Sequence, residues 1–177
     1  MHPQNHSACC YWFTGLSGAG KTTLANYIYQ ALIRCNVPAI VLDGDQLRQG
    51  LNADLGFSRK DRRENVRRIA YVAHFLIASG YTVLVSAISP YEKDRQAARD
   101  LFEPGQFIEV YLCTDLKTCM ERDPKGLYAK ARAGDLEHLT GWDDPYEKPI
   151  IPEFMISTVG ISVSEAAQPI LEQVLCL

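Results

Sequence analysis

The chain has 177 residues, 47% of them hydrophobic, which suits one folded domain over residues 1–177 with a single sizeable core. A formal net charge of −3 lacks the basic footprint of a nucleic-acid binder, and no apolar run approaches the ~20 residues that cross a bilayer. The opening Met1-His2-Pro3-Gln4-Asn5-His6 has no basic start followed by an apolar core, so no secretory signal is expected. The six cysteines form no C-x-x-C pair and read as reduced thiols of a cytoplasmic protein. His2, His6, Cys9 and Cys10 could be drawn as a metal cluster. That would need a tail folded back onto strand residues whose side chains alternate faces, and a stray terminus is the simpler reading.

The first predicted strand, residues 9–14, is a short apolar, β-prone run. It is followed by GLSGAGKT at residues 15–22, a complete G-x-x-x-x-G-K-[S/T] phosphate loop. Glycines at 15, 18 and 20 let the backbone curl around an anion with its N–H groups inward. Lys21 supplies a cation for the β/γ-phosphates and the Thr22 hydroxyl a ligand for Mg²⁺. A helix over 23–34 follows, with Leu24, Ile28 and Leu32 in helical phase, so the loop opens a helix N-terminus where the macrodipole also favours phosphate. A bound nucleoside triphosphate is expected, with Gly15, Ser17, Gly18, Ala19, Gly20, Lys21, Thr22 and Thr23 around it.

Residues 38–43 are apolar throughout, as in a strand buried on both faces. Asp43-Gly44-Asp45 ends that strand on the rim of the phosphate loop. A carboxylate there can hold Mg²⁺ through water or take a proton from an attacking hydroxyl; it can also simply cap the next helix. A long helix over 58–79 carries Val66, Ile69, Ala70, Ala73, Leu76 and Ile77 on one stripe, and Gly80 closes it. Arg62 and Asn65 continue the stripe into the first turns, where a core residue would be apolar. Polar groups there must meet a cleft ligand or cost several kcal/mol. Arg63, Glu64, Arg67 and Arg68 fall on a solvated face with a weak Glu64–Arg68 pair.

The third strand covers 81–87 and leads to Ser89-Pro90 on the same rim, where the serine could cap, donate to a phosphate or be phosphorylated. A helix over 95–102, a strand over 107–112 and a short helix over 116–122 come next. Residues 123–152 are rich in Gly, Pro and charge, and the apolar periodicity fails; such a stretch inside a compact domain suits a lid. The cations Arg122, just before it, and Lys125, Lys130 and Arg132 within it are either solvated or close over the triphosphate. A fifth strand over 154–158 and a helix over 165–175 end the chain. The alternation predicts an α/β fold: a five-stranded parallel sheet with helices on both faces and ligands beyond the strands' carboxyl ends.

Several stretches together resemble the adenylylsulfate kinase family of P-loop kinases: GLSGAGKTT at 15–23, DGDQLRQGLNADLGFS at 43–58, DRRENVRRIA at 61–70, ISPYEKDR at 88–95, RDPKGLYAKARAG at 122–134 and LTGWDDPYEKP at 139–149. The resemblance implies ATP and Mg²⁺ at the loop and phosphorylation of the 3′-hydroxyl of adenosine 5′-phosphosulfate. It implies Asp45 as the base beside that hydroxyl, and Arg48, Arg62 and Asn65 gripping the phosphosulfate and ribose. Phe57 would stack on the adenine, with Ile88, Ser89 and Lys125 as further contacts. Ser89 has been viewed in the family as a phosphoenzyme residue; direct in-line transfer suffices. A homodimer is also implied. Leu139 stands where the family usually has a second stacking aromatic, His138 where it has glycine, Gln46 where it has asparagine, and Trp142 where it has an aliphatic residue. These departures leave room for a different nucleotide-like acceptor. A guanine-specific switch would want an N-K-x-D segment, which the sequence lacks.

Overall fold

The computed structural model describes residues 8–175. His2, His6 and Cys176 lie outside the described residues. Five strands, β1 (Cys10–Thr14), β2 (Ala39–Asp43), β3 (Thr82–Ser86), β4 (Phe107–Leu112) and β5 (Phe154–Ile156), form one parallel sheet in the order β2-β3-β1-β4-β5. The inner strands β1, β3 and β4 are buried at every position; their runs are mostly apolar, and the polar Thr14, Thr82, Ser86 and Glu109 are buried with them. The second strand is instead an edge, and its Ile40 and Val41 are only half-buried. An all-apolar run does not by itself distinguish an edge from a centre.

Among the described residues, seven helices connect or flank the strands: α1 (Lys21–Arg34), α2 (Gly44–Leu47), α3 (Arg59–Ala78), α4 (Glu92–Arg99), α5 (Leu116–Arg122), α6 (Leu127–Ala133) and α7 (Val163–Leu175). One face of the sheet packs Leu24, Ile28 and Leu32 of α1 with Ile170 and Val174 of α7; the other packs Val66, Ile69, Ala70 and Ala73 of α3. Each apolar stripe thus lies where its period put it. Ser58 caps α3 by accepting from the Asp61 N–H at 3.1 Å, and Gly80 follows its end at φ +87°. At the start of α7, Ser162 and Glu165 bond each other's backbone N–H groups, a reciprocal capping box.

Several boundaries differ from the sequence expectation, among them the starts of α1 at Lys21 and α7 at Val163. The fourth helix starts at Glu92, because its acidic first turn suits the helix N-terminus although it carries no apolar period. The strand expected over 154–158 ends at Ile156. Within 123–152 the chain is helical over α6, seven residues too short to display a period. It is bounded by Gly126 and Gly134 in left-handed conformation, and Asp123 caps it by accepting from Tyr128 and Ala129 N–H. Tyr128 and Ala131 are buried, so this stretch does have a core face.

Candidate active site

The carboxyl ends of β1, β2 and β3 open on one cleft of about 900 Å³. Its floor is the loop between β1 and α1. Gly15 (φ +146°) and Gly18 (φ +79°) take conformations that other residues resist, and a Cβ would sit 2.7 Å from the Leu112 carbonyl oxygen or 2.8 Å from that of Cys119. The loop therefore needs glycine for both angle and space. Lys21 Nζ donates to the carbonyls of Gly15 (2.9 Å) and Leu16 (2.7 Å). Burial pushes its ammonium down to about 8, Lys125 adds to the depression, and Asp45 opposes it.

Thr22 Oγ1 donates to Asp43 Oδ2 at 2.7 Å and lies 3.0 Å from Ser86 Oγ. Asp43 Oδ1 meanwhile accepts from the N–H groups of Asp45 (2.9 Å) and Gln46 (3.2 Å). The carboxylate is thus both the cap of α2 and the partner of the phosphate-loop threonine; the two alternatives coexist. The parallel register pairs Asp43 with Ser86, which is why both reach Thr22. Ser86 was not singled out from the sequence, where nothing marks it as a neighbour of Asp43. These hard oxygen donors, one of them anionic, fit Mg²⁺.

Asp45 is exposed and paired across the cleft with Lys125. Arg48 and Arg62 flank the half-exposed Phe57 ring, their guanidinium carbons 4.5 and 5.6 Å from its centroid. Burial and the Arg62 charge both lower the Arg48 pKa, so this pair of cations would gain from an anion. Arg62 and Asn65 are buried on the α3 stripe and face the cleft, as their phase required. Arg62 also donates to the Phe57 and His138 carbonyls and approaches Asp144 at 3.5 Å. Asn52, which the sequence did not flag, donates to Asn65 Oδ1 at 3.0 Å. Ile88, the buried Ser89 and the buried Leu139 also line the cleft.

Residues 123–152 contribute unevenly. Arg122 donates to Thr158 and to the Gly18 carbonyl, and Tyr128 donates its hydroxyl to the Ser17 carbonyl at 3.1 Å, tying the segment to the phosphate loop. Lys125 lines the cleft. Lys130 and Arg132 are exposed and stand outside its lining, because α6 turns them away while burying Tyr128 and Ala131. Trp142 lines a smaller cavity beside Tyr111 and Tyr146 rather than the cleft. The Glu64–Arg68 pair exists at 2.9 Å, and Arg68 further binds Asp54 through two short hydrogen bonds. No group of three or more metal-ligating His, Cys, Asp or Glu side chains occurs among the described residues.

A phosphate loop sharing one cleft with a cation-rich pocket on a parallel sheet defines a P-loop kinase. The comparisons with known proteins narrow the class. The adenylylsulphate kinase family model matches residues 7–157. The adenylyl-sulfate kinase of Geotalea uraniireducens is 52% identical over 166 residues, 94% of this chain and 80% of that protein. The APS kinase CysC of Mycobacterium tuberculosis, solved in complex with AMPPNP and APS, superposes with a TM-score of 0.91 at 46% identity, covering 97% of this chain and 99% of that one. A hexameric APS kinase from Thiobacillus denitrificans superposes with a TM-score of 0.72 at 33% identity, covering 98% of this chain and 30% of that one. The chain belongs to the adenylylsulphate kinase family.

Proposed function

We propose that this chain transfers the γ-phosphoryl group of ATP to the 3′-hydroxyl of adenosine 5′-phosphosulfate, giving 3′-phosphoadenylyl sulfate. The observation that carries the reading is the single cleft that Lys21 and Thr22 share with Asp45, Arg48, Arg62, Asn65 and Ser89. The loop amides and Lys21 hold the triphosphate. Thr22 and Asp43 would hold Mg²⁺, with Ser86 beside them. When bound, Mg²⁺ neutralises charge on the β- and γ-phosphate oxygens.

Asp45 acts as the base that receives the acceptor's hydroxyl proton. Arg48, Arg62 and Asn65 bind the phosphosulfate and ribose, and Phe57 stacks on the adenine. Ile88 and Ser89 form the wall behind the acceptor, and Lys125 closes on it from residues 123–152, which act as the lid. Breaking the Lys125–Asp45 contact frees both groups for substrate. Transfer is direct, since positioning and charge stabilisation suffice for phosphoryl transfer.

The chain works as one kinase domain, assembled as a homodimer, in a reducing cytoplasm. Free cysteines at 9, 10, 35, 113 and 119 suit that compartment, and light scattering decides the assembly. Leu139 supports a second reading, a kinase for a different nucleotide-like acceptor, because an alkyl side chain buries a base without stacking on it. Turnover with Mg²⁺, ATP and a panel of nucleotide acceptors, ranked by kcat/KM, separates the two. Adenylyl sulfate should rank first. A different acceptor at the head of the panel favours the second reading.

A further inference from the structure

Ser89 has an unusual backbone for a serine, φ +47°, in the left-handed region that non-glycine residues seldom occupy without compensation. Two fully buried side chains hold it there. The indole Nε1 of Trp12 lies 3.0 Å from Ser89 Oγ, and Arg95 Nη1 donates to the Ser89 carbonyl at 2.7 Å. Arg95 is itself held by Glu109 at 2.7 Å and by Glu92, and its fork also reaches the Glu147 carbonyl at 2.8 Å. The Glu147 N–H returns to the Pro90 carbonyl at 2.8 Å, closing the strap around the serine. Trp12 is in turn fixed by stacking on Phe107, with centroids 5.6 Å apart.

An indole N–H can only donate, so Ser89 Oγ is the acceptor in that bond and keeps its own proton. Among the described residues the Ser89 hydroxyl makes no other hydrogen bond, and Ser89 lines the cleft. We propose that Trp12 and Arg95 are positioning residues that set Ser89 as a hydrogen-bond donor to an anionic oxygen of the acceptor. This rests on the acceptor-site reading above. Neither residue touches substrate; both act through Ser89. The indole cannot take the serine's proton, so the partner of Ser89 Oγ is not the base that a serine nucleophile needs.

The test is Trp12→Phe, which keeps an aromatic ring against Phe107 while removing the N–H and part of the bicyclic ring. With the best acceptor of the panel, its KM should rise about three- to ten-fold, the scale of one net hydrogen bond. The KM for ATP should stay unchanged. Ser89→Ala should raise the same acceptor KM, and Trp12→Phe added to Ser89→Ala should do nothing more, a non-additive pair. Arg95→Lys, which keeps the buried cation but loses the fork, should shift the same KM in the same direction. Additive effects, or proportional rises in both KM values, would overturn the proposal. If Ser89→Ala leaves the acceptor KM untouched, the acceptor-site reading fails instead.

Discussion

Lys21 carries the clearest electrostatic signature in the cleft, an ammonium pushed down to about 8 by burial and by Lys125. A bound triphosphate favours the charged form, so above pH 8 binding must take up a proton. Affinity for an ATP analogue should therefore hold from about pH 7 to 8 and then weaken by up to about tenfold per pH unit. Titrations across about pH 7 to 9.5 check this, and a flat profile would show that the free enzyme keeps its proton. Asp45→Asn should lower kcat/KM at least roughly 100-fold, the scale of a lost general base; wild-type turnover would remove Asp45 from that role.

At this scale the motif residues were legible because their spacing encodes a backbone shape. Asp43 was legible only as an alternative between cap and ligand, since one carboxylate has two oxygens and the structure uses both. Ser86 and Trp12 were not legible. Their partners Thr22 and Ser89 come from other elements, and a strand's alternation says nothing about which neighbour a polar tip meets.

Among the elements, helices α1, α3 and α7 could be read from period and caps, because each presents an apolar face long enough to repeat. Helix α6 could not. Its only signals are two flanking glycines and the Tyr128/Ala131 spacing, and without the helix the choice between solvated and cleft-closing roles for Lys130 and Arg132 stayed open; the structure places both outside the cleft lining. The turn that follows has its own test. His138 holds φ +61° while its carbonyl accepts from Arg62 and its N–H donates to Asp143 at 2.8 Å.

That angle accounts for the glycine usual at this position, and His138→Gly should raise the thermal midpoint by relieving up to ~1 kcal/mol of strain. A lower midpoint would mean that the histidine compensates elsewhere, for instance through Asp144, 3.5 Å from its ring. Leu139→Phe should tighten adenylyl sulfate binding by supplying the second ring face. Equal affinity, measured by calorimetry, would show that the pocket is already complete.

For the molecule as a whole, the strand order brings β1, β2 and β3 side by side, so the loop after β1, Asp43 at the end of β2 and Ser89 after β3 open onto one rim. Core clusters on the two sheet faces hold that rim rigid, and residues 123–152 reach over it from beyond β4. This juxtaposition allows the γ-phosphoryl group to pass straight between two ligands. Its most direct test is the stereochemistry at the transferred phosphorus, using ATP made chiral at the γ-position with oxygen isotopes. A single in-line transfer predicts inversion of configuration in the 3′-phosphorylated product. Retention would mean two displacements through an enzyme group and would contradict the account.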